Sequence, residues 1–165
     1  MNILSILNTI AAGATSCGVG VAAWQLWTTH RQAVTAFEDS LAREYRHLAS
    51  ELPTKSFLDD GALSEEEYRK AFDEFYSYFD LSNEQTFLRH IGRVSGRTWT
   101  FWRDGMRANF KRKAFSQAWT DISKRSPDDF NELRYLVNTH FEQDPRDWKA
   151  ASISSGPSHA RTAHN

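Results

Sequence analysis

The densest run of side chains able to do chemistry is Asp80-Leu81-Ser82-Asn83-Glu84-Gln85, followed by Arg89, His90 and Arg93. On a helix Asp80 and Glu84 share a face, and like charges four residues apart repel. The pair calls for a compensating arginine, metal or proton. The candidate cations are Arg43 and Arg46, from the Arg43-Glu44-Tyr45-Arg46 run, with Arg89, Arg93 and Arg97. Three readings follow. The first is a structural ion-pair network that fixes helix packing, the usual origin of clustered charge. The second is a small polar site for a phosphate or peptide group. The last is a two-carboxylate catalytic or metal centre. Helical di-metal sites are built on Glu-x-x-His pairs. The polar run supplies none, since Glu84 and His90 lie six positions apart. No metal and no cofactor are expected.

The other reactive residues form no recognisable constellation. Histidines 30, 47, 90, 140, 159 and 164 are scattered. H-E-x-x-H, C-x-x-C, a phosphate-cradling glycine loop and Gly-x-Ser-x-Gly are all missing from the sequence. Arg103, Arg107, Lys111, Arg112 and Lys113 are interleaved with Trp99, Trp102 and Phe110. That stretch suits a solvated face behind an aromatic core, then contact with anionic lipid headgroups, and last nucleic acid. The net charge of −1 gives no support for a nucleic-acid partner.

The elements that must position these residues are helical. The first 29 residues contain no Asp, Glu, Lys or Arg. Residues 3–26 are long enough to span a bilayer, which takes roughly 20 mainly apolar residues. Trp24 and Trp27 sit at the end of the stretch, where indole rings favour the headgroup zone, and Arg31 is the first definite cation. Cations therefore flank only the C-terminal side. This orients the N-terminus outside and the following domain in the cytoplasm. Two rivals are a cleaved signal peptide, with Val21-Ala22-Ala23 as its cleavage site, and a soluble helix buried in an oligomer. Small residues recur every fourth position through Ala12, Ser16 and Gly20, Ala14 and Gly18, and Gly13 and Cys17. Such rows let helices approach closely, so Gly13, Ser16 and Gly20 are candidates for self-association.

Past the membrane stretch, Val34, Phe37, Leu41, Tyr45, Leu48 and Leu52 recur at helical spacing up to Pro53. This predicts a helix that continues from the membrane to residue 52. Ser64-Glu65-Glu66-Glu67 is a capping box opening a helix to about residue 91, closed by Gly92. Ser95 caps a third helix carrying Trp99, Trp102, Met106 and Phe110. A fourth spans about 113–124. Ser126-Pro127-Asp128-Asp129 reads as a restart signal for a last helix with Phe130, Leu133, Leu136 and Phe141. No stretch alternates as a strand. The expected fold is all-α: a single transmembrane helix (residues 1–27) continuing into a small cytoplasmic helical bundle (28–145), with a disordered Ser/Gly/Pro-bearing tail (146–165). The single cysteine excludes a disulfide framework.

Phe37-Glu38-Asp39, Glu44-Tyr45-Arg46, the run from Phe79 to Gln85, Phe87-Leu88-Arg89, Gly92-Arg93, Trp99, Trp102, Asp104-Gly105, Ala114-Phe115 and Ala118-Trp119 together resemble a family of small bacterial membrane-anchored helical proteins, a domain of unknown function. The resemblance covers about half of the chain. It implies a bacterial source and an anchored helical domain, and carries over no catalytic residue. The sequence thus points away from an enzyme. It points toward an inner-membrane, single-pass interaction or regulatory module. Its partners would be membrane lipids, further copies of itself and an unidentified protein. The alternatives are a small enzyme or ligand-binding domain centred on residues 80–93, and a membrane-disrupting effector.

Overall fold

The computed structural model describes residues 3–149, with side chains described for Ala22 and residues 24–149. Among the described residues there are six α-helices and no strand, so the chain is all-α. The helices are α1 (Ile3–Glu51), α2 (Glu65–Lys70), α3 (Phe72–His90), α4 (Gly96–Lys111), α5 (Lys113–Arg125) and α6 (Asn131–Asn138). Short 3-10 turns occupy Thr54–Phe57 and Pro145–Asp147. Among the described residues no helix is long and apolar enough to cross a membrane. The expected anchor and the Gly13, Ser16 and Gly20 association row rest almost wholly on side chains outside the described residues.

The chain parts into two compact units, Met1–Asp39 and Ser40–Asn165. In the first, Trp24, Leu26 and Trp27 are exposed, and the Arg31 guanidinium lies 4.7 Å from the centroid of the Trp27 ring.

The second unit is built around α3. Phe75, Tyr78, Phe79, Ser82, Gln85 and Thr86 fall at intervals of three and four, and all are buried. The Ser82 and Thr86 hydroxyls donate to the carbonyls one turn back, Tyr78 at 2.8 Å and Ser82 at 2.7 Å. These small polar groups therefore enter the core satisfied. The core is aromatic. The Phe115 ring meets Phe75 at 5.2 Å and Tyr78 at 4.9 Å, both edge-on, and Phe79 meets Trp119 at 5.1 Å. Edge-to-face pairs at such distances add to what ring burial alone contributes. Leu41 of α1 and Leu52, just past its end, are buried in this unit. Pro53 cannot extend α1, and the 3-10 turn follows it directly.

Three local signals are reproduced in the backbone. Ser64 accepts from the Glu67 N–H while the Glu67 carboxylate accepts from the Ser64 N–H. Ser95 accepts from the Thr98 N–H. Gly92 has φ 80°, with Arg93 N–H donating to Leu88 O and Gly92 N–H to Arg89 O, a Schellman closure that favours glycine.

Three expectations need correction. The helix expected over 65–91 is broken at Ala71 (φ −96°, ψ 8°), which separates α2 from α3. The Ser126-Pro127-Asp128-Asp129 sequence makes a turn after α5 instead of capping α6. Arg134 donates to the carbonyls of Ser123, Ser126 and Asp129, which holds that turn closed. Phe130 then enters α6 with φ 60°, an unfavourable conformation offset by burial of its ring against Tyr76 and Trp119. Finally, packing continues past residue 145. Trp148 is buried, with its ring 4.7 Å from Tyr135. Residues 150–165 of the expected tail lie outside the described residues.

Candidate functional site

The structure distributes the residues of the polar run over separate places. Asp80 and Glu84 point to solvent from α3, and neither takes part in an ion pair among the described residues. Water screens their repulsion, so no compensating group is required. Asn83 lies on another side of the helix, and its Oδ1 accepts from the Leu133 N–H at 3.0 Å. One of the free amides that open α6 is thus satisfied by a side chain from α3. Arg93 is exposed beyond the Gly92 cap, and Arg43 and Glu44 are exposed on α1. Glu44 and His47 do have the Glu-x-x-His spacing. However, His47 is exposed and lies 3.9 Å from Glu51. No cluster among the described residues could hold a metal ion.

Arg89 has a structural partner. Its Nε and Nη2 donate to the two oxygens of Asp144 at 2.8 and 2.7 Å, and its Nη1 donates to Val94 O at 3.0 Å. The hydrogen bonds to Asp144 raise the Arg89 pKa above its ordinary value. Burial pushes the Asp144 carboxyl up. The Arg89 hydrogen bonds, the Arg146 N–H and the Arg89 charge together outweigh it and hold the carboxyl low. Asp144 also caps the turn that begins at Pro145, and His90 Nδ1 lies 2.7 Å from Pro145 O. The pair closes the C-terminal turn onto the end of α3.

Most of the basic stretch is engaged too. Arg103 pairs with Asp104, Arg107 with Glu142, and Arg112 donates to Asn109. Lys111 and Lys113 are exposed.

A cleft of about 440 Å³ combines apolar walls with polar groups. It lies within the second unit. Ala42, Tyr45 and Arg46 of α1 form one wall, Tyr78, Ser82 and Gln85 of α3 the floor, and Phe101, Trp102, Asp104, Gly105 and Met106 of α4 the other wall. Its size and mixture of aromatic walls with few polar groups are those of a ligand site. Tyr78 is fixed from behind: its hydroxyl accepts from Asn109 Nδ2 at 2.9 Å. Burial pushes the Tyr78 phenol above its ordinary range, so it stays protonated at neutral pH. Gln85 is 3% exposed, and its side chain makes no hydrogen bond among the described residues. At Gly105 an added Cβ would meet nothing within 4 Å, so the glycine leaves the wall open. No nucleophile here sits beside a general base. The chemistry available is recognition: aromatic contact, a carboxamide, a guanidinium and a carboxylate.

Of the candidate site residues Arg43, Glu44, Arg46, Asp80, Asn83, Glu84, Arg89 and Arg93, Arg46 alone borders this cleft. Gln85 belonged to the run but was not chosen. Its signal is its place on the inner face of α3, three and seven residues after the buried Ser82 and Tyr78. Gly105, a small residue within the aromatic α4, was the other available sign. Comparison with protein-family models, with curated proteins and with solved structures gives no match.

Proposed function

We propose that this chain is a membrane-tethered binding module of the bacterial inner membrane. A single N-terminal helix would hold a cytoplasmic helical domain that acts by recognition, not catalysis. The observation that carries the recognition reading is the α1/α3/α4 cleft, where the Gln85 carboxamide, without a side-chain hydrogen bond among the described residues, opens beside aromatic side chains. Support for the tether comes from the 29 residues without Asp, Glu, Lys or Arg, followed by exposed Trp24 and Trp27 and then Arg31. The rows through Gly13, Ser16 and Gly20 support self-association of that helix. The enzyme alternative loses its centre, because Asp80 and Glu84 face solvent apart from Asn83 and Arg89.

The test is photocrosslinking in living cells from position 101, at the cleft's edge, with Phe101 replaced by a photoreactive benzoylphenylalanine. A discrete adduct that disappears when Gly105→Leu fills the cleft is expected. Adducts indifferent to Gly105→Leu, or none, would contradict a recognition role for this surface.

A further inference from the structure

The enclosed side-chain atoms without a partner among the described residues are Ser56 Oγ, Glu74 Oε2, Trp99 Nε1, Arg112 Nε and Trp148 Nε1. Gln85 differs from them: its carboxamide makes no side-chain hydrogen bond among the described residues and stays open to the cleft. Its side chain offers a donor and an acceptor side by side, the complement of the N–H and C=O of a single residue in an extended chain, which point the same way. Arg46 borders the same cleft, is exposed, and makes no hydrogen bond or ion pair among the described residues. A guanidinium fork of this kind holds a carboxylate through two parallel hydrogen bonds. Asp104 also lies at the cleft, where Arg103 Nε and Nη2 donate to its Oδ1 at 3.1 and 2.9 Å. With Asp104 paired to Arg103, Arg46 is left as the one uncompensated charge among the residues lining the cleft, which suits a singly charged anion. Tyr45 and Trp102 provide aromatic walls for an apolar side chain. Phe101, 79% exposed, extends the apolar surface outward, as a chain continuing out of the cleft would need.

We propose that the α1/α3/α4 cleft captures the free C-terminus of a partner polypeptide ending in an aromatic or large aliphatic residue. Arg46 takes the terminal carboxylate, Gln85 the N–H and C=O of the residue before the last, and the aromatic walls the last side chain. This rests on the recognition reading above and names its ligand.

The test measures binding to the full-length chain in detergent micelles by calorimetry. The probes are acetyl-Gly-Gly-Phe, its C-terminal amide, 3-phenylpropionate, N-acetyl-phenylalanine and adenosine monophosphate. Acetyl-Gly-Gly-Phe is expected to bind most tightly. Its amide and 3-phenylpropionate should each bind about tenfold more weakly, the worth of one charge-assisted or buried hydrogen-bonded contact. Arg46→Gln should erase the preference for acid over amide. Gln85→Leu should erase the preference over 3-phenylpropionate. Gly105→Leu should abolish binding with the thermal midpoint retained. Should Gln85→Leu fail to fold, the exposed Arg46→Gln decides alone. Equal binding of acid and amide, or preferences that survive these substitutions, would overturn the proposal. Tighter binding of N-acetyl-phenylalanine would overturn it in favour of a small metabolite, and tighter binding of adenosine monophosphate in favour of a nucleotide. If no probe binds while the Phe101 crosslink still depends on Gly105, the ligand class falls and the recognition reading stands.

Discussion

Arg89 and Asp144 are 55 positions apart in sequence and joined by two hydrogen bonds, of 2.8 and 2.7 Å, that close the C-terminal turn onto α3. The Asp144 pKa is held below its ordinary value of 3.8, and a depressed carboxylate contributes stability above the unfolded pKa. That contribution is complete above about pH 5 and is lost as pH falls through the folded pKa. Asp144→Asn should therefore cost about 1–2 kcal/mol at neutral pH, the worth of a charge-assisted contact. Denaturation of both proteins at pH 7 and pH 3 checks this. The gap should narrow in acid, and an equal gap at both values would contradict the assignment.

Asn83 caps a helix to which it does not belong. Asn83→Ala should destabilise by about 1 kcal/mol, the usual cost of losing a cap. Asn83→Asp keeps the acceptor near the positive end of α6 and should restore most of the loss. Urea unfolding of the three proteins distinguishes a capping role from a catalytic one, for which Asp would be no rescue.

Asp80 and Glu84 face solvent without an ion-pair partner among the described residues, so the double substitution Asp80→Asn, Glu84→Gln should leave stability within about 0.5 kcal/mol. The Phe101 crosslink should be unchanged as well. A large loss of stability would show that the two carboxylates are held in a network after all.

Two phenylalanines should behave oppositely. Phe115 is fully buried between Phe75 and Tyr78, and Phe115→Ala should cost about 3–5 kcal/mol. Phe101 is 79% exposed, and Phe101→Ala should leave the thermal midpoint nearly unchanged while weakening the crosslinked partner's binding.

The parts of the fold legible in the sequence were those set by local chemistry. The Ser64 capping box, the Ser95 cap, the Gly92 closure and the stop before Pro53 each depend on a few neighbouring residues. The start of α6 was not legible, because Arg134 and the burial of Phe130 override the Ser126-Pro127 signal from a distance. The site suffered in the same way. A count of charges led to Asp80 and Glu84, which the helix turns outward. The residue facing the cleft is the uncharged Gln85, and helical phase decides that orientation. Gly105 carries no chemistry of its own, and its use emerges only beside Tyr45 and Gln85 from other helices.

The tether is tested most directly by fractionating cells that express the full-length chain and a chain starting at Thr28, with protease access to the C-terminus in spheroplasts. The expected result is that only the full-length chain pellets, resists carbonate extraction and keeps its C-terminus protected. A full-length chain that stays in the supernatant would contradict the membrane-tethered reading.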